Sequence, residues 1–275
     1  MTPDAGLAFR HKRVQRLRRL VDRGSTRDSE RAFVLEGTKL LTEALDAGTP
    51  VESLYLAHGT RRASGAPGTR PAAVDGAVAR AVAGGVRVFD LAPGVMERVA
   101  ATVTPQPVMA VAGYLDVPLE LLRDCRLVVV CVDVRDPGNL GTVLRSAEAS
   151  GAGGVVCCDG TVDVYNPKCV RASAGSLFHV QVVAGGEPVQ ILDTLGSWGF
   201  RRLGTQAAGG SPYFATDLTG RTALVLGNEA SGLPARVEDG LDGAVTIPMS
   251  GRGESLNVGM AAAVLCFEAA RQRAS

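Results

Sequence analysis

A chain of 275 residues, 46% of them hydrophobic, can fill one large core or two ordinary ones. A net charge of +1 and an aromatic content of 4% exclude a uniformly basic polyanion binder and argue against a sheet that stacks bases on aromatic rings. No apolar run is long enough to cross a membrane and no hydrophobic signal core opens the chain, so a cytoplasmic protein without a membrane partner is expected.

Residues 10–23 carry seven Arg or Lys against one Asp, and Val14, Leu17 and Leu20 or Val21 recur at helical spacing. This predicts a helix with one apolar stripe. Its basic remainder, with Arg10, Lys12, Arg13 and Arg16, is either a solvated face or an arm that neutralises phosphates. Residues 33–115 then alternate between helix-like and strand-like stretches. Helices are expected over Gly37–Ala47, over Ala73–Ala83 and near Val95–Ala101. Strands are expected over Val51–Ala57, Val86–Asp90 and Val108–Leu115, with an exposed loop over Thr60–Pro71. Asp116–Asp124, containing Pro118, is the expected linker.

Leu127–Val132 is a continuous β-branched run of the kind found in a central parallel strand. Helices are expected over Leu140–Ala149, Pro167–Ala174, Val189–Leu195 and Leu256–Arg273. Strands alternate with them over Gly154–Cys158, Leu177–Val183, Arg201–Thr205, Thr222–Leu226 and Ala244–Ile247. The pattern implies an α/β fold with a mostly parallel sheet and helices on both faces. A dinucleotide fingerprint is missing, because Gly151-Ala152-Gly153-Gly154 precedes a strand instead of following one, and Gly151 reads as a helix C-terminal cap. The six cysteines form no C-x-x-C pair and His11, His58 and His179 lie far apart, so buried free thiols and no metal site are expected.

Three polar signatures follow strand-like runs: Asn139-Leu140-Gly141-Thr142-Val143-Leu144-Arg145, Gly227-Asn228-Glu229-Ala230-Ser231-Gly232, and Ile247-Pro248-Met249 continuing to Ser255-Leu256-Asn257-Val258. Ligands of open α/β sheets sit outside the carboxyl ends of the strands, so the three look like one site. Asn139 reads as a helix cap, Ser255 as the cap of the last helix and Asn257 as part of its first turn. Gly227 permits close backbone approach to a ligand, and Gly251-Arg252-Gly253 is a flexible turn. An acid at Glu229 can pair with Arg145. Taken singly, each residue has a plainer reading as cap, surface charge or turn.

Together these signatures make residues 127–271 resemble the SpoU (TrmH-like) RNA 2′-O-ribose methyltransferases of the SPOUT superfamily. The stretch from Phe33 to Leu45 resembles the opening of that family's substrate-binding domain. The resemblance implies an L30e-like RNA-binding domain over 1–115, a linker over 116–125 and a trefoil-knotted methyltransferase domain over 126–275. It further implies S-adenosylmethionine as cofactor, RNA as substrate (ribosomal in preference to transfer RNA) and a homodimer with both subunits contributing to the cleft. The catalytic set it implies is Arg145, Asn139, Glu229, Ser255 and Asn257. Because a guanidinium keeps its proton, Arg145 is expected to orient and stabilise the attacking 2′-oxygen, with general-base action as the alternative and an adjacent RNA phosphate as a further proton acceptor. Thr205, Leu226, Gly227, Ile247 and Leu256 are implied around the adenosine. Lys39, Lys168 and Arg171 join the basic arm as RNA contacts; the last two share a helix face and read equally well as a solvent-exposed pair. Gly259 departs from the family's usual Ser. A transfer RNA methylase and a catalytically inactive RNA-binding protein are the alternatives on the same fold.

Overall fold

The computed structural model describes residues 6–60, 72–251, 253 and 255–274. Most of the expected Thr60–Pro71 loop, and Arg252 of the expected turn, lie outside them. The chain divides into two compact units: Met1–Tyr114 with Tyr165–Arg171, and Leu115–Val164 with Ala172–Ser275.

The first unit runs α1 (Lys12–Asp22), α2 (Gly24–Glu30), β1 (Ala32–Glu36), α3 (Thr38–Asp46), β2 (Val51–Leu56), α4 (Ala72–Ala83), β3 (Arg87–Asp90), α5 (Val95–Val99) and β4 (Val108–Gly113). Its sheet has the order β1-β4-β2-β3, antiparallel except for the β2–β3 pair. The apolar stripe of α1 enters the core as the spacing predicts, with Val14, Leu17 and Leu20 packed beside Val34, Met109 and Val111. His11 caps its start by accepting the Arg13 N–H at 3.2 Å. Its end is closed by Arg27, a buried cation that donates to the Leu20 and Val21 carbonyls at 2.8 and 3.1 Å. Arg27 sits on α2, a polar helix with no apolar period to signal it.

The second unit holds β5 (Leu127–Cys131), α6 (Pro137–Ala149), β6 (Gly154–Cys157), β7 (Gln181–Ala184), α8 (Pro188–Ser197), β8 (Arg201–Gln206), β9 (Ser211–Pro212), β10 (Thr222–Leu226), α9 (Ala235–Glu238), β11 (Gly243–Thr246) and α10 (Val258–Ala274). Between β6 and β7 lies the short α7 (Pro167–Ala172), most of which packs with the first unit. The strand expected from Leu177 begins only at Gln181, because Gly175 at φ +110 turns the chain into a 3-10 turn over Ser176–Phe178.

Seven strands form one parallel sheet in the order β7-β6-β5-β10-β8-β11-β9. The period-2 alternation of its strands sends Val128, Val130, Ala223 and Val225 to a core shared with Ile191, Leu192 and Leu195 of α8. On α6 and α10, which pack against each other, Leu140, Val143, Leu144, Ala262, Leu265 and Ala269 are buried. The α10 face of Val258, Ala262, Leu265 and Ala269 is therefore core. Because β10 is inserted between β5 and β8, strand order reverses there, and the loops leaving β5, β8, β10 and β11 open at one edge. Such a switch point is where open α/β sheets bind ligands.

Candidate active site

The loop after β5 turns through Asp133, a non-glycine residue at φ +56. Asn228 from the loop after β10 holds that turn, its Nδ2 donating to the Asp133 carbonyl at 2.9 Å and to its carboxylate at 3.3 Å. The Asn228 Oδ1 accepts the N–H groups of Ala230 and Ser231 at 2.9 and 3.1 Å. Gly227 is required by its own loop, since a Cβ there would lie 2.6 Å from the Gly232 carbonyl carbon. The close approach at Gly227 is thus to its own chain.

Helix α6 starts at Pro137 and is capped by Asp136, whose carboxylate accepts from Gly138 N and Asn139 N at 2.7 and 3.0 Å. Asn139 is not the cap; Asp followed by Pro at the first helical position was the signal to read. The Asn139 side chain is instead free to bridge. Its Nδ2 donates to Glu229 Oε1 at 2.8 Å, and its Oδ1 accepts from Asn257 Nδ2 at 2.8 Å. Asn257 in turn accepts Gly259 N at 3.0 Å and Met260 N at 3.3 Å, so Asn257, and not Ser255, caps α10. One residue from each signature thereby enters a single relay, Glu229–Asn139–Asn257.

Glu229 also accepts the N–H groups of Arg135 and Asp136 at 3.4 and 3.5 Å. Burial pushes its carboxyl up, but the Asn139 amide and the backbone N–H groups outweigh burial and hold it below the ordinary carboxylate range. Glu229 does not pair with Arg145. Arg145 is exposed and forms no ion pair or hydrogen bond among the described residues. Six residues beyond Asn139 at about 100° each, it lies roughly 240° around α6 from it.

A cleft of about 290 Å³ opens beside the relay, lined by Thr205, Gly227, Glu229, Ile247, Ser255 and Leu256 among the expected residues. Leu226 ends β10 fully buried beneath it and does not line it; Asn139, Arg145 and Asn257 do not line it either. Its wall also contains Met249 of the third signature, the polar Gln206, and Val245, Val258, Ala261 and Leu265; sequence reasoning missed the last four because nothing marks apolar residues as wall instead of core. A trough lined about equally by polar and apolar groups, with the Glu229 carboxylate among them, suits an adenosine carrying a cationic sulfonium. Gly259 leaves the cap intact because it bonds through its backbone. A Cβ at that position would come 2.9 Å from Thr142 Cβ and 3.2 Å from Asn257 Oδ1.

The basic candidates separate. Arg10, Lys12, Lys39 and Lys168 are exposed, and Arg13 lies over the Phe89 ring at 4.6 Å. Arg16 is held by Glu52, through bonds at 2.7 and 2.8 Å, and by Glu30, which raise its pKa. Arg171 faces the buried Glu36 at 3.6 Å, so it does not form an exposed pair with Lys168.

The model of the SpoU rRNA methylase family matches residues 126–267, and that of an MRM3-like substrate binding domain matches residues 11–110. The chain is 34% identical to the 23S rRNA (guanosine(2553)-2′-O)-methyltransferase RlmP of Bacillus subtilis, over 88% of this chain and 89% of that protein. It is 32% identical to the 23S rRNA (uridine(2479)-2′-O)-methyltransferase of Streptomyces viridochromogenes, over 98% and 93%. The crystal structure of the SpoU methyltransferase AviRb from Streptomyces viridochromogenes in complex with the cofactor AdoMet superposes with a TM-score of 0.83 at 30% identity, covering 97% of this chain and 99% of that one.

Proposed function

The chain belongs to the SpoU rRNA methylase family, and we propose that it transfers a methyl group from S-adenosylmethionine to a ribose 2′-hydroxyl of 23S ribosomal RNA. The observation that carries this reading is the joining of the three signatures by the Glu229–Asn139–Asn257 relay beside one cleft, which residues of the second and third signatures line. When bound, S-adenosylmethionine supplies an electrophilic methyl group. Thr205, Gly227, Ile247 and Leu256 hold its adenosine, with Leu226 supporting that wall from below. Glu229 and Ser255 line the methyl end, and Asn139 and Asn257 keep the three loops in register.

Arg145 orients the attacking oxygen and stabilises its developing negative charge. Its place on a different face of α6, roughly 120° from Asn139 by the shorter way round, and outside the lining of this cleft favours action in the cleft of a second copy. A homodimer also accounts for the apolar stripe Met260, Ala263, Val264 and Phe267 on α10, where Met260 and Phe267 are 62% and 52% exposed. Light scattering of Phe267→Glu should then give a monomer with lost activity, and a fully active monomer refutes the shared site. The insertion of β10 between β5 and β8 and the return of α10 onto α6 are compatible with the trefoil knot of the family. Residues 1–115, 116–125 and 126–275 act as RNA-holding domain, linker and methyltransferase domain, in the cytoplasm, with Arg10, Lys12, Lys39 and Lys168 as phosphate contacts.

The test is incorporation of label from S-adenosyl-[methyl-³H]methionine into 23S rRNA fragments. Transfer at one ribose is expected, mapped by primer extension at low nucleotide concentration. Labelling of transfer RNA alone, or of no RNA, would refute the reading. A substrate in 23S rRNA is favoured over transfer RNA by the two relatives that match nearly end to end. The complete set of Arg145, Asn139, Glu229, Ser255 and Asn257 speaks against an inactive binder.

A further inference from the structure

One cation at the edge of the cleft is positioned by the fold yet keeps unused donors. The Arg135 side chain is 73% exposed, and its Nε donates to Asp133 Oδ1 at 2.9 Å. Its terminal nitrogens bond to nothing else among the described residues. Two other arginines of this unit close their forks on carboxylates: Arg202 uses Nε and Nη2 on Asp242, and Arg271 uses Nε and Nη2 on Glu268. Arg135 retains the planar edge that matches two oxygens of a phosphate.

Its placement is set at both ends. The Arg135 N–H points at Glu229 Oε2 at 3.4 Å. The anchoring Asp133 is itself pinned in a left-handed conformation by Asn228. A guanidinium held before its ligand arrives gives up less rotamer freedom on binding.

Charge supplies the need for it. Asp133, Asp136 and Glu229 bring three carboxylates to this loop pair, an arrangement that repels a polyanion unless a cation answers it. The 2′-hydroxyl to be methylated and the phosphate esterified to the adjacent 3′-oxygen are carried by one ribose, so a cation beside Glu229 is within that phosphate's reach of the cleft. Resting on the reading of this protein as an RNA 2′-O-methyltransferase, we infer that Arg135 binds the phosphate adjoining the target ribose. This is a contact that neither the catalytic relay nor the basic residues of the first unit supply.

The test compares the wild type, Arg135→Gln and Arg135→Lys on a labelled 23S rRNA fragment. Arg135→Gln should raise KM for RNA about tenfold and change kcat by less than about twofold. The slope of log KM against log salt should become shallower by about one phosphate contact. Affinity for S-adenosylmethionine and oligomeric state should be unchanged, and Arg135→Lys should fall between, keeping charge but not the fork. An unchanged KM and salt slope in Arg135→Gln overturns the inference. So does a loss of kcat at constant KM, which would assign Arg135 to steadying Glu229, and so does a change in oligomeric state. A wild-type protein that methylates no 23S fragment removes the underlying reading, and this inference with it. An active wild type with an indifferent Arg135→Gln removes the inference alone.

Discussion

Replacing Asn139 by Asp tests the relay with little change in shape. The substitution keeps an acceptor for Asn257 but turns the donor facing Glu229 into a second carboxylate oxygen across a 2.8 Å contact. Two unit charges at that distance repel by about 1.5 kcal/mol in water and about 6 kcal/mol at an effective dielectric of 20. Glu229 is exposed, so the lower figure applies, added to one lost hydrogen bond of about 1 kcal/mol. Asn139→Ala instead loses two hydrogen bonds and gains no repulsion.

The two variants differ most clearly in pH dependence. Like-charge repulsion raises a carboxyl in the folded Asn139→Asp protein above its unfolded value. The penalty is therefore complete above that raised value and disappears as the pH falls to the unfolded value. Urea denaturation at pH 7.5 and pH 5 should show the Asn139→Asp deficit shrinking in acid while that of Asn139→Ala stays constant. Adding Glu229→Gln should restore at least about 1.5 kcal/mol at pH 7.5. A deficit independent of pH, together with no rescue by Glu229→Gln, would refute the relay.

Three further outcomes follow from the same geometry. Gly259→Ala should lose about 1–3 kcal/mol to overpacking against Thr142, less up to about 1 kcal/mol regained in helix propensity. Its affinity for S-adenosylmethionine should fall as the Asn257 cap shifts; a variant equal to wild type in calorimetry and melting contradicts the close packing. Arg27→Ala should destabilise the first unit by about 1.5–3 kcal/mol through the lost charged bonds to two carbonyls. Cofactor affinity should be unaffected, and loss of cofactor binding at unchanged stability would contradict a role confined to closing α1. Glu229 has its carboxyl lowered, so its contribution to stability is complete above the unfolded value and disappears as the pH falls through the lower folded one. A carbon-detected titration should place its midpoint below 4.5, and a midpoint above that value contradicts the bond pattern.

The sheet class could be read from local pattern because Leu127–Val132 and Thr222–Leu226 are continuous apolar runs, and such runs suit strands covered on both faces. The stripe Val14, Leu17, Leu20 likewise identified α1 from spacing alone. Of the five positions that the family resemblance implied around the adenosine, Thr205, Gly227, Ile247 and Leu256 line the cleft, and Leu226 is buried behind its wall. Helix α2 escaped because a polar helix has no period, and the 3-10 turn over Ser176–Phe178 escaped because only the backbone angle of Gly175 distinguishes it from a strand start.

What the sequence determined by itself was the inventory: which segments are apolar, which strand ends carry polar groups, and which residue types are available for chemistry there. Pairing was decided only by the tertiary structure. Asn139 could have capped its own helix, and it bonds Glu229 and Asn257 because Asp136 took the cap. Glu229 meets an amide and two backbone N–H groups, not Arg145, because hydrogen-bond partners 90 or more positions apart are chosen by strand order and helix rotation. Neither quantity is written in any local window of the chain.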